Sequence, residues 1–192
     1  MALGSGEWGM NAALLVTGIH REELDFGDRV AGLIDPEQIQ VLRIAHGISN
    51  ARSTTGDQFY TDTEHREIYL QLRQQLQRCR GPLIDLHAGV DERGPCADIY
   101  CANEALLSCL ARKLGPDPRV RLVRIVDSPV PGDDTRADAI ARTRIPRQLW
   151  DDPDRLYIGL EVYLAEPGEG RPADWNFTHD LIVNICQCGK TD

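Results

Sequence analysis

The sequence lacks the features that mark membrane-spanning, secreted and nucleic-acid-binding proteins. No apolar run in its 192 residues approaches the roughly 20 residues that a membrane-spanning helix needs. No Lys or Arg precedes the short apolar stretch Ala12–Val16, so a secretory signal is not expected. Basic residues do not cluster, and the formal net charge is −9, which disfavours nucleic acids and anionic membranes as partners. We therefore expect a cytoplasmic protein.

Motifs of several enzyme classes are also missing. The sequence has no Gly-x-Ser-x-Gly elbow of the serine hydrolases and no P-loop for phosphates. Its six cysteines are too few for a disulfide scaffold, and in a reducing compartment we expect mostly thiols, with Cys109 as a small buried hydrophobe. A four-thiolate zinc site from Cys96/Cys101 and Cys186/Cys188 is a less favoured alternative, because neither pair has the usual two-residue gap.

The alternation of apolar runs with amphipathic segments predicts an α/β fold. We expect a single domain over residues 1–192, with a mostly parallel or mixed central sheet flanked by helices. The predicted strands are Ala12–Ile19, Gln38–Ala45, Leu83–Leu86, Asp98–Ala102, Val120–Val126 and Leu156–Leu164. The predicted helices are Glu23–Ile34, Asp62–Arg78 with a Thr61/Glu64 capping box, one from Asn103 to Gly115, and a last one capped near Asp174. Asn50–Tyr60 is predicted as a loop and Ser128–Arg147 as a mobile or substrate-facing segment.

His20 and Glu23 stand three residues apart where the first strand should give way to a helix. Zinc accepts imidazole nitrogen and carboxylate oxygen, and this spacing on a tight turn lets both side chains face one ion. Pairs with this spacing also arise by chance, so the motif indicates a metal site only in combination with others.

A second motif lies where the strand Leu83–Leu86 runs into His87, with a small-residue turn expected after it. In parallel α/β sheets the site lies at the carboxyl ends of strands, where His20 and His87 both fall. Asp85 could orient a metal-bound imidazole through its second nitrogen. Considered alone, His87 fits a hydrogen-bonded structural histidine equally well.

The third motif is Glu161 in the strand Leu156–Leu164. Every even-numbered position of this strand is aliphatic, so Glu161 should point to the opposite face with Tyr157, Gly159 and Tyr163. A carboxylate in so apolar a strand needs a partner or a function. It is either half of a salt bridge or a general base beside a metal-bound water.

The fourth motif is Asn50-Ala51-Arg52 in the polar loop after the second strand. An arginine fork grips a carboxylate with two parallel hydrogen bonds, and Asn adds a neutral donor. Asn and Arg are also common at protein surfaces, so this triplet indicates a carboxylate site only in combination with the other three motifs.

In this order the four motifs resemble the zinc carboxypeptidase superfamily, which includes aspartoacylase and succinylglutamate desuccinylase. The resemblance spans roughly residues 14–164 as short motifs joined by unmatched segments. It implies a zinc-dependent amidohydrolase with one Zn²⁺ per chain. The implied zinc ligands are His20, Glu23 and His87, with Asp85 behind His87. Glu161 would be the general base, and Asn50 and Arg52 would hold the substrate carboxylate.

The resemblance thus predicts hydrolysis of an amide bond next to a carboxylate, in an N-acyl amino acid or at the end of a peptide. The chain is short for this superfamily, and the arginine that polarises the carbonyl is open among Arg142, Arg144 and Arg147. The alternative is a non-catalytic domain of the same fold that binds metal or a carboxylate ligand.

Overall fold

Strands and helices alternate around one sheet in the computed structural model, which describes residues 12–49, 58–76, 81–126, 140–141 and 145–189. The strands in these ranges are β1 Ala13–Thr17, β2 Ile39–Arg43, β3 Leu83–Val90, β4 Cys96–Cys101, β5 Val120–Ile125, β6 Ile140–Ala141 and β7 Tyr157–Leu164. The helices are α1 Leu24–Ala31, α2 Gln58–Gln75, α3 Glu104–Leu114, α4 Arg147–Trp150 and α5 Pro172–Cys188, and a 3-10 turn, Arg21–Glu23, precedes α1. None of these described helices is long and apolar enough to cross a membrane.

The sheet is mixed, with strand order β2-β1-β3-β7-β4-β5-β6. Neighbouring strands are parallel except β7 and β4, which run antiparallel. The carboxyl ends of β1, β3 and β7 therefore meet at one edge, where side chains of different strands can converge on a ligand. The predicted α/β fold with a mixed central sheet is confirmed.

The two faces of the sheet are packed differently, because side chains alternate along each strand. One face, here the core face, lies under α1, α3 and α5 and is lined by buried aliphatic side chains, among them Leu15, Ile84, Leu86, Leu160 and Val162. The other, here the site face, lies under α2 and α4. Its buried apolar side chains include Leu14, Val16, Leu83 and Tyr157.

Two predicted boundaries are wrong, and the start of α5 lies near Asp174 as predicted. Strand β3 continues to Val90, because β7 pairs with it along its whole length, so Ala88 and Gly89 lie within the strand and not in a turn. Helix α2 begins at Gln58, which places the predicted N-cap Thr61 inside it. Helix α5 begins at Pro172, a residue that suits the first helical position.

Hydrogen bonds test two of the predicted helix caps, Asn103 and Asp174. Asn103 caps α3 as predicted, and its Oδ1 accepts a hydrogen bond from the Leu106 N–H at 2.9 Å. Asp174 instead lies in the first turn of α5, and its carboxylate accepts from the Arg171 N–H at 2.8 Å.

A disulfide joins Cys109 of α3 to Cys188 of α5, which corrects the expectation of thiols at these two positions. The two helices pack side by side on the core face, with the two Cα atoms 5.8 Å apart. The pairing also removes Cys188 from the alternative four-thiolate site. Cys96 and Cys101 are free thiols. The cytoplasmic location stays a prediction.

Candidate metal centre

His20 and Glu23 are brought together by the turn that follows β1. Gly18 has a φ of +80°, and a Cβ atom there would lie 2.5 Å from the Ile44 carbonyl oxygen, so a glycine is required at this turn. The 3-10 turn then folds Glu23 back, so that its Oε1 lies 2.8 Å from His20 Nδ1. The local sequence thus builds half of the site.

His87 completes the group from β3. Its Nδ1 lies 3.1 Å from the second oxygen of Glu23, so this carboxylate contacts both imidazoles. Burial opposes the charge of Glu23, but the hydrogen bonds and charges of the two histidines outweigh burial and lower the pKa of Glu23. One ligand atom from each residue lies within 4.8 Å of the others. Two imidazole nitrogens and an ionised carboxylate form the donor set of catalytic zinc sites, so these residues fit a zinc ion.

Asp85 lies behind His87, in the position suggested for it. Its Oδ2 is 3.3 Å from His87 Nε2, the ring nitrogen that faces away from Glu23. The same oxygen accepts hydrogen bonds from the hydroxyls of Tyr69 at 2.6 Å and Tyr157 at 2.8 Å. Burial opposes the charge of Asp85, but the charge and hydrogen bond of His87 and the two tyrosine hydroxyls lower its pKa. Asp85 thereby fixes the orientation of the His87 ring.

Glu161 is half-buried on β7, directly opposite His87 in the strand register and on the same face. Burial raises the pKa of the Glu161 carboxyl, and this effect exceeds the lowering by His87. A carboxyl whose pKa is raised is suited to exchanging a proton with a reacting group. Gly89 makes room for it, because a Cβ atom at position 89 would lie 3.1 Å from Glu161 Oε1 and 2.9 Å from Tyr163 Cδ1.

The remaining predicted residues are not at this site or lie outside the described residues. Asn50, Arg52, Arg142 and Arg144 lie outside the described residues. Arg147 lies in α4 and forms an ion pair with Asp151. The same helix packs near the beginning of β7, away from the carboxyl end that carries Glu161.

His65 was not predicted and lies beside the site. Its ring is 5.7 Å from the His20 ring and 4.8 Å from the Tyr69 ring, measured between centroids. A signal was available in the sequence, because His65 stands one helical turn before Tyr69 on the face of α2 that carries Leu72 and Leu76.

Comparison with known proteins finds solved structures with a similar fold. No protein-family model matches the sequence, and no curated protein matches it either. Among solved structures, succinylglutamate desuccinylase from Chromobacterium violaceum superposes with a TM-score of 0.57 at 10% identity, covering 97% of this chain and 63% of that one. A mutant of murine aminoacylase 3 superposes with a TM-score of 0.51 at 14% identity, covering 95% and 64%.

The chain shares its fold with these two proteins. The predicted resemblance is therefore confirmed at the level of the fold. The chain spans less than two thirds of the length of both proteins.

Proposed function

We propose that the chain is a zinc-dependent hydrolase that cleaves an amide bond next to a carboxylate. The observation that carries the proposal is the convergence of His20, Glu23 and His87 beside Glu161 on the neighbouring strand. These three residues would hold one Zn²⁺ per chain. When bound, the ion supplies a Lewis acid that lowers the pKa of water and polarises a carbonyl oxygen.

The chain's own residues supply the proton transfers and the alignment. The Glu161 carboxylate accepts a proton from the attacking water and returns it to the leaving nitrogen, a role that its raised pKa supports. Asp85, held by Tyr69 and Tyr157, keeps His87 in one orientation. A fixed arrangement of these groups reduces the reorganisation that the reaction would otherwise require.

The substrate in this proposal is an N-acyl amino acid or the end of a peptide, and Asn50 and Arg52 bind its carboxylate. An arginine fork suits a carboxylate in charge and in shape. The names of the two similarly folded proteins, an aminoacylase and a desuccinylase, support cleavage at an acylated amine.

A second candidate is a non-catalytic domain that binds metal or a carboxylate ligand. The observation that favours it is the length of the chain, which covers only 63–64% of the two similar structures.

Hydrolysis of matched amides separates the two candidates. Zinc-loaded protein is assayed on N-acyl amino acids and on N-acyl amines that lack only the carboxylate. We expect faster turnover of the amino acids, and we expect Arg52→Gln to remove this preference by raising KM. The control Arg29→Gln, at an exposed arginine of α1 that is ion-paired with Glu169, should leave the preference intact. Zinc bound at one ion per chain with no turnover of either series would contradict the hydrolase and favour the binding domain.

A further inference from the structure

A second polar cluster lies on the site face, on the far side of Glu161 from the metal centre. We call it the Asp98–Arg121 cluster, and it consists of Asp98, Tyr100, Arg121 and Tyr163. Asp98 of β4 stands opposite Glu161 in the strand register, and Arg121 of β5 stands opposite Asp98. A row of polar side chains therefore crosses four strands, from His87 through Glu161 and Asp98 to Arg121.

Asp98 fixes the guanidinium of Arg121. The carboxylate is 5% exposed, and it accepts hydrogen bonds from Arg121 Nε at 2.9 Å and from Arg121 Nη2. The hydroxyls of Tyr100 and Tyr163 donate to the same carboxylate at 3.2 and 3.3 Å. An arginine held in this way has already lost its rotamer freedom, so a ligand would not bear that entropic cost.

Two other Asp–Arg pairs near this edge of the sheet differ from the cluster. Asp91 with Arg93 and Asp117 with Arg119 are each two residues apart in sequence and lie at exposed turns. Arg121 instead reaches across strands to a buried carboxylate, and yet its side chain is 55% exposed. Its Nη1 group donates to no described residue, which leaves hydrogen-bond donors for a ligand.

The exposed side of the cluster borders a cleft of about 540 Å³. Three arginines and two aspartates line this cleft, and Arg121 is one of the three arginines. The ring of Tyr163 separates the cleft from the general base. Its hydroxyl is bonded to Asp98, while its ring edge and the Glu161 carboxylate both lie over Gly89. The cleft therefore adjoins the proposed reaction site.

We propose that Arg121 binds a second carboxylate of the substrate, in addition to the one next to the scissile amide. The proposal rests on the hydrolase proposed above for the reaction itself. Neighbouring strands lie about 4.8 Å apart, so the backbones of Arg121 and Glu161 are separated by about 10 Å. A carboxylate on Arg121 thus belongs to a side arm several bonds from the scissile bond. The arm is either an acidic acyl chain or the acidic side chain of the amino acid.

A binding experiment tests Arg121 without any reaction. Glutarate, with two carboxylates, and pentanoate, with one on a chain of equal length, are titrated into the chain in zinc-loaded and in chelator-treated form. We expect glutarate to bind about tenfold more tightly, the gain of one charge-assisted hydrogen-bonded pair. Arg121→Gln should abolish this difference in both forms. Arg121→Lys, which keeps the charge and loses the fork, should retain part of it.

Arg124→Gln is the matched control. Arg124 lies on the same strand, is 50% exposed and is ion-paired with Glu104, but it points to the opposite face. It should leave the glutarate preference unchanged. Three outcomes would overturn the proposal. The wild-type protein shows no preference for glutarate, the preference survives Arg121→Gln, or it falls equally in Arg121→Gln and Arg124→Gln.

Two substrate pairs then distinguish the side arms. N-glutarylglycine against N-pentanoylglycine places the extra carboxylate on the acyl side, and N-acetylglutamate against N-acetylnorvaline places it on the amine side. Arg121→Gln should raise KM about tenfold for the acidic member of one pair and leave kcat nearly unchanged. Arg121-dependent glutarate binding without hydrolysis would contradict the hydrolase alone. Hydrolysis without such binding would contradict the role of Arg121 alone.

Discussion

The two faces of the sheet differ in the side chains that they carry: the core face is aliphatic, and the site face holds the charged groups of the proposed reaction. On the core face, three helices cover aliphatic side chains that are almost entirely shielded from water. On the site face, the same strands carry carboxylates at positions 85, 98 and 161 and an imidazole at position 87. Leu160 and Glu161 are adjacent in β7 and illustrate the difference, since one is fully buried among aliphatic groups and the other faces the metal centre.

The polar groups of the site face require partners that the core face does not need. Buried carboxylates are costly unless they are hydrogen-bonded or paired with a charge. Asp85 has two tyrosines and a histidine, and Asp98 has an arginine and two tyrosines. We conclude that the core face stabilises the fold sufficiently for the site face to hold charges at positions set by chemistry.

The largest expected effect comes from Glu161→Gln. If Glu161 is the general base, turnover should fall about 10³-fold while zinc content is retained. The melting temperature of the zinc-free protein should be unchanged or higher, because burial raises the pKa of Glu161 and thus disfavours its ionised form in the folded state. Steady-state kinetics and calorimetry measure both quantities. Glu166→Gln, at an exposed position just after β7, is the control, and wild-type turnover in Glu161→Gln would remove Glu161 from the mechanism.

Removal of the Cys109–Cys188 disulfide tests the core face. The bond closes a loop of 79 residues, for which loop-closure entropy gives about 4 kcal/mol of stability. We expect a Cys109→Ser/Cys188→Ser double variant to lose this amount in urea unfolding and to keep its turnover at low temperature. Cys96→Ser, at a free cysteine, serves as the control. Equal unfolding midpoints for wild type and double variant would show that the bond does not stabilise the domain.

Leu160→Ala should reduce stability and leave the chemistry intact. Truncating a fully buried leucine leaves a cavity and costs about 3 kcal/mol. Turnover per folded molecule should match the wild type, because Leu160 points away from the site. Val41→Ala, at an exposed position of β2, should change little. A large loss of turnover in folded Leu160→Ala protein would mean that the two faces are coupled.

Gly89→Ala should act on the site face alone, with the smallest expected effect. The added Cβ would force the Tyr163 ring and the Glu161 carboxylate to move, because it would lie 2.9 Å from Tyr163 Cδ1 and 3.1 Å from Glu161 Oε1. A displacement of the base by about 1 Å can lower turnover about 10²-fold. Val90→Ala, at the exposed next position of β3, is the matched comparison. Unchanged kcat in Gly89→Ala would indicate that the position of Glu161 is not restricted by this contact.

Much of the fold could be predicted because its signals are local. Alternating aliphatic residues in β7 identified the strand and the face to which Glu161 points. The extension of β3 through Ala88 and Gly89 was missed, because two small residues resemble a turn unless the pairing with β7 is known.

The site was predictable in part for the same reason. His20 and Glu23 follow the end of β1, and His87 lies in the second half of β3, which is parallel to β1 and adjacent to it. The Asp98–Arg121 cluster depends on β4 lying antiparallel beside β7, and no local pattern specifies that pairing. Likewise, sequence alone does not determine which cysteines pair across 79 residues.

Metal content measured by plasma mass spectrometry tests the central claim most directly. The protein is incubated with zinc, freed of unbound ion and analysed beside two double variants. His20→Ala/His87→Ala removes two of the three proposed ligands, and His46→Ala/His179→Ala removes two histidines that are not among the proposed ligands. We predict about one zinc per chain in the wild type and the control and almost none in His20→Ala/His87→Ala. No zinc in the wild type, or equal zinc in all three proteins, would contradict the proposed metal centre.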